Sequence, residues 1–299
     1  MTEDANQLFT RLRPRLEGIA YRMLGVLAEA EDVVQDAWLR WHEADKSTLD
    51  NPEAWLVSIT TRRAIDKLRS AKVQRERYVG MWLPEPMLTD SSNTPEQMQE
   101  LSSDISVAFL TLLERLSPEA RAAYLLREIF DADYGEVART LDKSEAACRQ
   151  IVHRAKQQLQ DQRPRQKVEP QRQLRLVRRF SEALALGSIQ AMKALLAEDA
   201  TLVGDGGGKV NSVGHPLLGS ERIAYLYYAT HRRYSQTTEL RIAQLNGQWA
   251  LLRYIDGTLE SAQSYDTDGD RILQIHIQRN PDKLARLQST AQAASHLST

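Results

Sequence analysis

The sequence predicts two all-α helical domains followed by an α+β domain with a curled antiparallel sheet, on three observations. Apolar residues recur every three or four positions along two separate stretches, and the second stretch closes in a helix-turn-helix pattern. Beyond residue 170 the pattern turns to alternation, broken by Asn-Gly and Asp-Gly pairs. At 299 residues the chain has room for several cores, because single cores stop growing near that size.

In order along the chain, Leu8, Leu12, Leu16, Ile19 and Met23 fall at helical spacing, as do Val33, Val34, Ala37, Trp38 and Trp41. Asn51-Pro52-Glu53 opens a third helix: Asn51 caps, Pro52 takes the first helical position, and Trp55, Leu56, Ile59, Ile65 and Leu68 form its buried stripe. These three helices predict a first domain over residues 1–77. Residues 78–104 hold no sustained period and carry Trp82-Leu83-Pro84-Glu85-Pro86 and Asn93-Thr94-Pro95, so they read as a linker. Helices resume with Val107, Leu110, Leu113 and Leu116, and Ser117-Pro118-Glu119 caps the next. A short helix from Tyr134 to Leu141, a turn at Asp142-Lys143 and a longer helix capped by Ser144 complete a helix-turn-helix domain over 105–163. The third domain, 170–299, is predicted as helices near 172–187 and 189–197, a loop, a helix near 219–232 and strands near 236–245, 248–256, 259–266 and 271–279. Its strands meet at Asn246-Gly247, Asp256-Gly257 and Asp268-Gly269, each a tight-turn signal.

Charge is segregated beneath a formal net of -1. Residues 62–77 carry 7 basic and 2 acidic side chains, and 134–179 carry 12 and 5, whereas 1–61 carry 6 and 11 and 78–133 carry 3 and 10. Two basic islands in an acidic chain suit phosphate contacts beside a basic protein partner. The first ten residues lack a basic and apolar leader, and no stretch approaches the roughly 18 apolar residues of a membrane span. A cytoplasmic protein without a membrane partner is expected. Cys148 stands alone and the six histidines show no ligand spacing, so neither disulfide, metal nor cofactor is expected.

On the second helix of the helix-turn-helix, Cys148, Val152, Ala155 and Leu159 share one face. The opposite face presents Arg149, Gln150, His153 and Arg154, side chains suited to base edges and flanking phosphates in a major groove. Cys148 reads as core rather than as a redox switch.

Three stretches together resemble the extracytoplasmic-function (ECF) sigma-70 factors: Ala30-Glu31-Asp32-Val33-Val34-Gln35-Asp36-Ala37-Trp38, then Trp55-Leu56 with Arg63 and Asp66, then the helix-turn-helix ending His153-Arg154-Ala155-Lys156. The resemblance implies that residues 1–77 are sigma region 2 and 105–163 sigma region 4. It implies that Asp32, Gln35 and Asp36 dock on the clamp helices of the polymerase β′ subunit, with region 4 on the β flap. Arg62, Arg63, Lys67 and Arg69 would then hold the minus-10 element, with Trp41 or Trp55 offering a stacking face if either leaves the core. Ser144, Arg149, Gln150, His153 and Arg154 would read the minus-35 element. Arg62 stands where the family often has Asn, and Asp142 where glycine is common in the turn.

The resemblance extends to the subgroup with a C-terminal SnoaL-like domain, a cone of helices on a curled sheet. Its signatures are Trp82-Leu83-Pro84-Glu85-Pro86, Asp205-Gly206-Gly207-Gly208-Lys209 and Asn280-Pro281-Asp282-Lys283-Leu284. In that subgroup these motifs serve control by the fused domain, so no separate anti-sigma factor is required and an equilibrium between compact and extended states is expected. The glycine run is not a phosphate loop: Gly204 to Lys209 is too short, and Val210 fills the place of the Ser/Thr. It predicts positive φ and close backbone approach. The implied function is an alternative sigma factor, not an enzyme. Two rivals remain at this point: a ligand-gated helix-turn-helix regulator that binds duplex DNA without polymerase, and a SnoaL-like enzyme tethered to DNA with Asp205 or His215 in catalysis.

Overall fold

The computed structural model describes residues 5–75, 78–89, 105–160 and 168–296. Of the expected linker, 90–104 lies outside them. The described residues divide into two compact units, one built on 5–75, 105 and 109–160 and the other on 78–89, 106–108 and 168–296.

In the first unit α1 (Ala5–Leu24), α2 (Leu27–Glu43) and α3 (Pro52–Arg75) pack around Leu16, Ile19, Met23, Val33, Trp41, Leu56 and Leu68. Asn51 Oδ1 accepts from the Ala54 N–H at 3.0 Å, the cap predicted for α3. Trp41 is buried, with its ring centroid 5.9 Å from that of partly exposed Trp55. The helix-turn-helix side consists of α4 (Val107–Leu113), α5 (Pro118–Glu128), α6 (Tyr134–Leu141) and α7 (Glu145–Gln160). Ser117 caps α5, and α6 starts in a capping box of Asp133 and Glu136. It ends on Asp142 at φ 53, the left-handed position for which glycine is the usual choice. Cys148, Val152, Ala155 and Leu159 are buried as one stripe. Burial also pushes the Cys148 thiol pKa up, which fits a core cysteine.

The second unit holds α8 (Pro170–Ala185), α9 (Ile189–Leu195), β1 (Leu196–Asp205), β2 (Leu217–Leu218), α10 (Ser220–Tyr234), β3 (Thr238–Leu245), β4 (Gln248–Ile255), β5 (Thr258–Thr267), β6 (Ile272–Gln278) and α11 (Pro281–His296). Its six-stranded sheet runs β2-β1-β6-β5-β4-β3. The antiparallel expectation holds for β3 to β6, but β1 pairs parallel to β6. The sequence predicts a loop over 198–205, where the structure has strand. Glu198 and Asp199 break the alternation, and the strand is fixed by its long-range partner β6 rather than by local pattern. The turns at Asn246-Gly247 and Asp256-Gly257 have positive φ at both residues, as two-residue hairpins require. The third connection is wider: Asp268 Oδ1 accepts from the Asp270 and Arg271 N–H groups.

Side-chain alternation gives the sheet two faces that each pack on helices. One, with Leu251, Tyr265, Ile275 and Ile277, packs on α8, α9 and α10 through Phe180, Met192 and Ile223. The other, with Leu252, Tyr254, Leu259 and Ala262, packs on Leu284 and Leu287 of α11.

Candidate functional site

Asp32, Gln35 and Asp36 lie exposed along α2, backed by buried Val33, Val34 and Ala37. Asp32 is paired with Lys67 of α3 at 2.8 Å, an exposed ion pair that is cheap to exchange for another partner. Arg63 is half-buried. Arg62 and Arg69 are engaged within the same unit. The Arg62 guanidinium donates to Thr140 O at 2.8 Å and Arg139 O at 2.5 Å, the carbonyl end of α6, where a cation is favoured. Arg69 meets Glu119 at 2.7 Å, and Glu119 also pairs with Lys143 in the helix-turn-helix turn at 3.2 Å.

On α7, Ser144 Oγ accepts from the Ala147 N–H at 3.2 Å, so this residue caps the helix. Arg149, Gln150, His153 and Arg154 are exposed together. Arg149 is held by Glu145 at 2.8 Å and stacks over the Tyr134 ring at 4.9 Å. Among the described residues, the side chains of Gln150, His153 and Arg154 make no hydrogen bond within the chain.

A buried charge cluster missed in the sequence joins the two helical groups. Glu114, after α4, accepts from Arg121 at 2.8 Å and from Arg75 at 2.5 Å. The same arginines donate to Met23 O and Leu24 O at the end of α1. Burial would raise the Glu114 pKa, but Arg121 and Arg75 outweigh it and hold the carboxyl below its ordinary value.

In the second unit, the three signature motifs meet at Asp205. This fully buried carboxylate accepts from Tyr78 Oη at 2.7 Å, Leu83 N at 3.0 Å, Gly207 N at 2.9 Å, Gln278 Nε2 at 3.2 Å and Lys283 Nζ at 2.7 Å. Lys283 also donates to Leu83 O at 2.6 Å and lies 4.4 Å from the Trp82 ring centre. Residues 78–89 thus run as a strap over the sheet end. Leu83, Pro84, Glu85 and Pro86 are buried, with Arg286 3.6 Å from Glu85. Neither proline brings an N–H that would need a partner. Further on, Leu88 bridges Leu245 of edge strand β3, with Thr89 N donating to Gln244 O and Asn246 N to Met87 O. Gly207 and Gly208 have positive φ, and a Cβ on Gly207 would collide with Asn280. Gly206 leaves no room for a Cβ against Val210 O. Lys209 closes the loop onto Asp282 at 2.6 Å, and Asn280 caps α11 through the Asp282 N–H. Tyr78, Gln278 and Arg286 carry no signal of their own in the sequence, and Asn246 is legible there only as a turn residue. Tyr78 and Gln278 flank recognised motifs, the one signal that pointed to them.

His215 is exposed in the loop before β2. No group of three or more potential metal ligands occurs among the described residues, and none of their helices is long and apolar enough to cross a membrane.

Comparison with known families matches residues 8–73 to Sigma-70 region 2 and 106–159 to Sigma-70 region 4. The ECF RNA polymerase sigma factor SigJ of Mycobacterium tuberculosis is 35% identical over 289 residues, covering 92% of this chain and 91% of its own length. This chain belongs to the ECF sigma factor family. A probable ECF sigma factor of the same organism, SigI, is 29% identical over 280 residues, covering 93% of each chain. The crystal structure of M. tuberculosis SigJ matches this sigma factor with a TM-score of 0.76 at 30% identity, covering 94% of this chain and 98% of that one. The protein is therefore an alternative sigma factor that directs transcription initiation, a regulator acting with RNA polymerase core at promoter DNA. The fold of helical regions followed by a C-terminal sheet domain is shared with SigJ.

Proposed function

We propose that this sigma factor uses residues 1–77 as region 2, 105–163 as region 4, 78–104 as linker and 170–299 as a built-in regulatory domain that makes a separate anti-sigma factor unnecessary. Asp32, Gln35 and Asp36 dock on the β′ clamp helices and region 4 meets the β flap. Arg62, Arg63, Lys67 and Arg69 take the minus-10 strand. Arg149, Gln150, His153 and Arg154 take the minus-35 element, with Ser144 fixing the start of their helix. The regulatory domain performs no chemistry, and Asp205 serves as the centre of a clasp.

The observation that carries this reading is the convergence of strap, glycine loop and α11 on Asp205, each held by a hydrogen bond to one carboxylate. Tethering gives such a contact an effective concentration near millimolar, so it can be occupied without any outside partner and yet exchange when polymerase binds. The closed helical unit fits the same logic: Arg62 and Arg69 are spent on α6 and Glu119 and must be released to reach DNA.

Transcription from a mapped promoter with purified core enzyme tests both halves. The full chain is expected to initiate only when core is added, and the strap variant Trp82→Ala, Leu83→Ala is expected to change core affinity and transcript yield together. Duplex binding and repression without core would instead establish the ligand-gated regulator. Core-dependent initiation with an inert strap would leave the sigma function and remove the clasp.

A further inference from the structure

A second feature of the C-terminal unit lies on the face of the sheet opposite the strap. Between α8, α10 and the sheet is a cavity of about 420 Å³, within the range of small-molecule sites. Leu184, Ala185 and Leu240 supply its apolar wall, and Tyr227, Gln263 and Arg253 its polar floor.

The floor has a definite charge arrangement. Strands β4 and β5 pair Arg253 with Ser261 and Tyr254 with Leu259, so Glu260 is an extra, bulged residue. A bulge re-aims a side chain. Here the Glu260 carboxylate lies beside Arg253, taking its Nε at 2.8 Å and its Nη2 at 2.5 Å on a single oxygen, Oε2. The other oxygen of Glu260 is paired with Arg279. Two guanidinium groups therefore share one carboxylate, and Arg253 and Glu260 side chains are only 13% and 16% exposed. Among the described residues Arg253 Nη1 has no hydrogen-bond acceptor.

The neutral part of the floor is already satisfied. Tyr227 and Tyr265 both donate to Gln263 Oε1, at 2.8 and 3.1 Å, and Gln263 Nε2 donates to Ser261 Oγ at 3.2 Å. The unspent donor is Arg253. At the mouth, Glu239 is neutralised by two bonds to Arg241, at 2.6 and 3.0 Å, while Glu182 remains as an acid that repels multiply charged anions.

We infer that this cavity is a receptor site for a small organic monocarboxylate, its carboxylate on Arg253 and its apolar body against Leu184, Ala185 and Leu240. A carboxylate restores charge balance to a pair of cations sharing one anion, and charge-assisted bonds to a guanidinium are the strong class. Nothing in this inference depends on the clasp or on promoter binding.

The test uses the full chain, with benzoate as probe and benzamide and inorganic phosphate as controls, followed by ligand-observed NMR titration. Saturable benzoate binding, with benzamide and phosphate each weaker by about tenfold or more, is expected. Two variants locate it. Arg253→Gln with Glu260→Gln removes the ion pair as a unit, and Leu240→Trp fills the cavity without touching the charges; each is expected to weaken benzoate by at least about tenfold. Circular dichroism checks that both variants fold, and if the double variant does not, Leu240→Trp decides alone. Benzoate binding no tighter than benzamide, no saturation, or binding unchanged by Leu240→Trp overturns the proposal.

Discussion

Removing the carboxylate of Asp205 takes a 2.7 Å ion-pair partner from the buried Lys283 ammonium, the two side chains being 0% and 9% exposed. Breaking a buried pair from one side costs about 3–5 kcal/mol, while replacing both members costs much less. Asp205→Ala is therefore expected to lower the urea midpoint of the C-terminal unit far more than Asp205→Asn combined with Lys283→Met. Equal losses would show that the carboxylate matters through its backbone partners alone. Lys209 and Asp282 make the contrast: both are more than half exposed, and their pair is worth about 0–1 kcal/mol. A second residue ties stability to pH. His276 is buried on β6, Asp266 lies 4.0 Å from its Nδ1, too far for a hydrogen bond, and burial pushes its pKa down to about 4 from 6.5. Between those values the unfolded chain binds a proton that the folded chain refuses. The contribution is complete above pH 6.5 and is lost as pH falls toward 4, by at most about 1.4 kcal/mol per pH unit. His276→Gln is expected to flatten the loss of stability between pH 7 and 5, and an identical loss in both proteins would clear the histidine. At this scale the sequence is legible where one residue type answers a backbone demand, as at Asn51, Ser117 and the glycines 206–208. It was silent on Glu114 and Arg121, because a buried ion cluster looks like any other scattered charge until the helices are packed.

Among the elements, α7 carries the sharpest consequence. Its buried stripe was legible from spacing alone, and that spacing also set which side chains face outward. The Arg154 side chain has no intrachain hydrogen bond among the described residues, whereas that of Arg149 is already held by Glu145 and Tyr134. Arg154→Ala is expected to weaken promoter use by about 1–3 kcal/mol if it meets a base edge, with a changed minus-35 preference. If it meets only phosphate, the loss is uniform across sequences and the salt dependence drops. Unchanged promoter use removes Arg154 from the interface. The hairpins were legible for a similar reason, since Asn-Gly and Asp-Gly fill positive-φ positions locally. Strand β1 was not, because its pairing with β6 spans more than seventy residues and leaves no local period to read. The bulge at Glu260 was equally hidden: a register shift is a property of two strands, not of one.

At the scale of the molecule, the strap changes what a truncation can mean. Deleting the chain from Asn280 removes Asn280 and Lys283 from the clasp, but it also strips Leu284 and Leu287 from a hydrophobic cluster. Paired with the strap variant Trp82→Ala, Leu83→Ala, which leaves α11 intact, it separates release of the strap from loss of the domain. Core affinity is expected to change in the same direction in both if the clasp governs polymerase access. A change confined to the truncation would assign the effect to unfolding. The strap also gives the covalent chain a topology. Residues 78–89 are held on Asp205, Gln278 and Lys283 and on the β3 edge, so the chain between strap and sheet, with the whole helix-turn-helix inside it, forms a ring closed by non-covalent contacts. A ring cut once stays in one piece. A single protease nick engineered between 161 and 167 is expected to give two fragments on a denaturing gel that still co-migrate under native conditions. Adding Trp82→Ala and Leu83→Ala to the nicked protein should let the fragments part, turning the closure of the strap into a quantity read directly from a column.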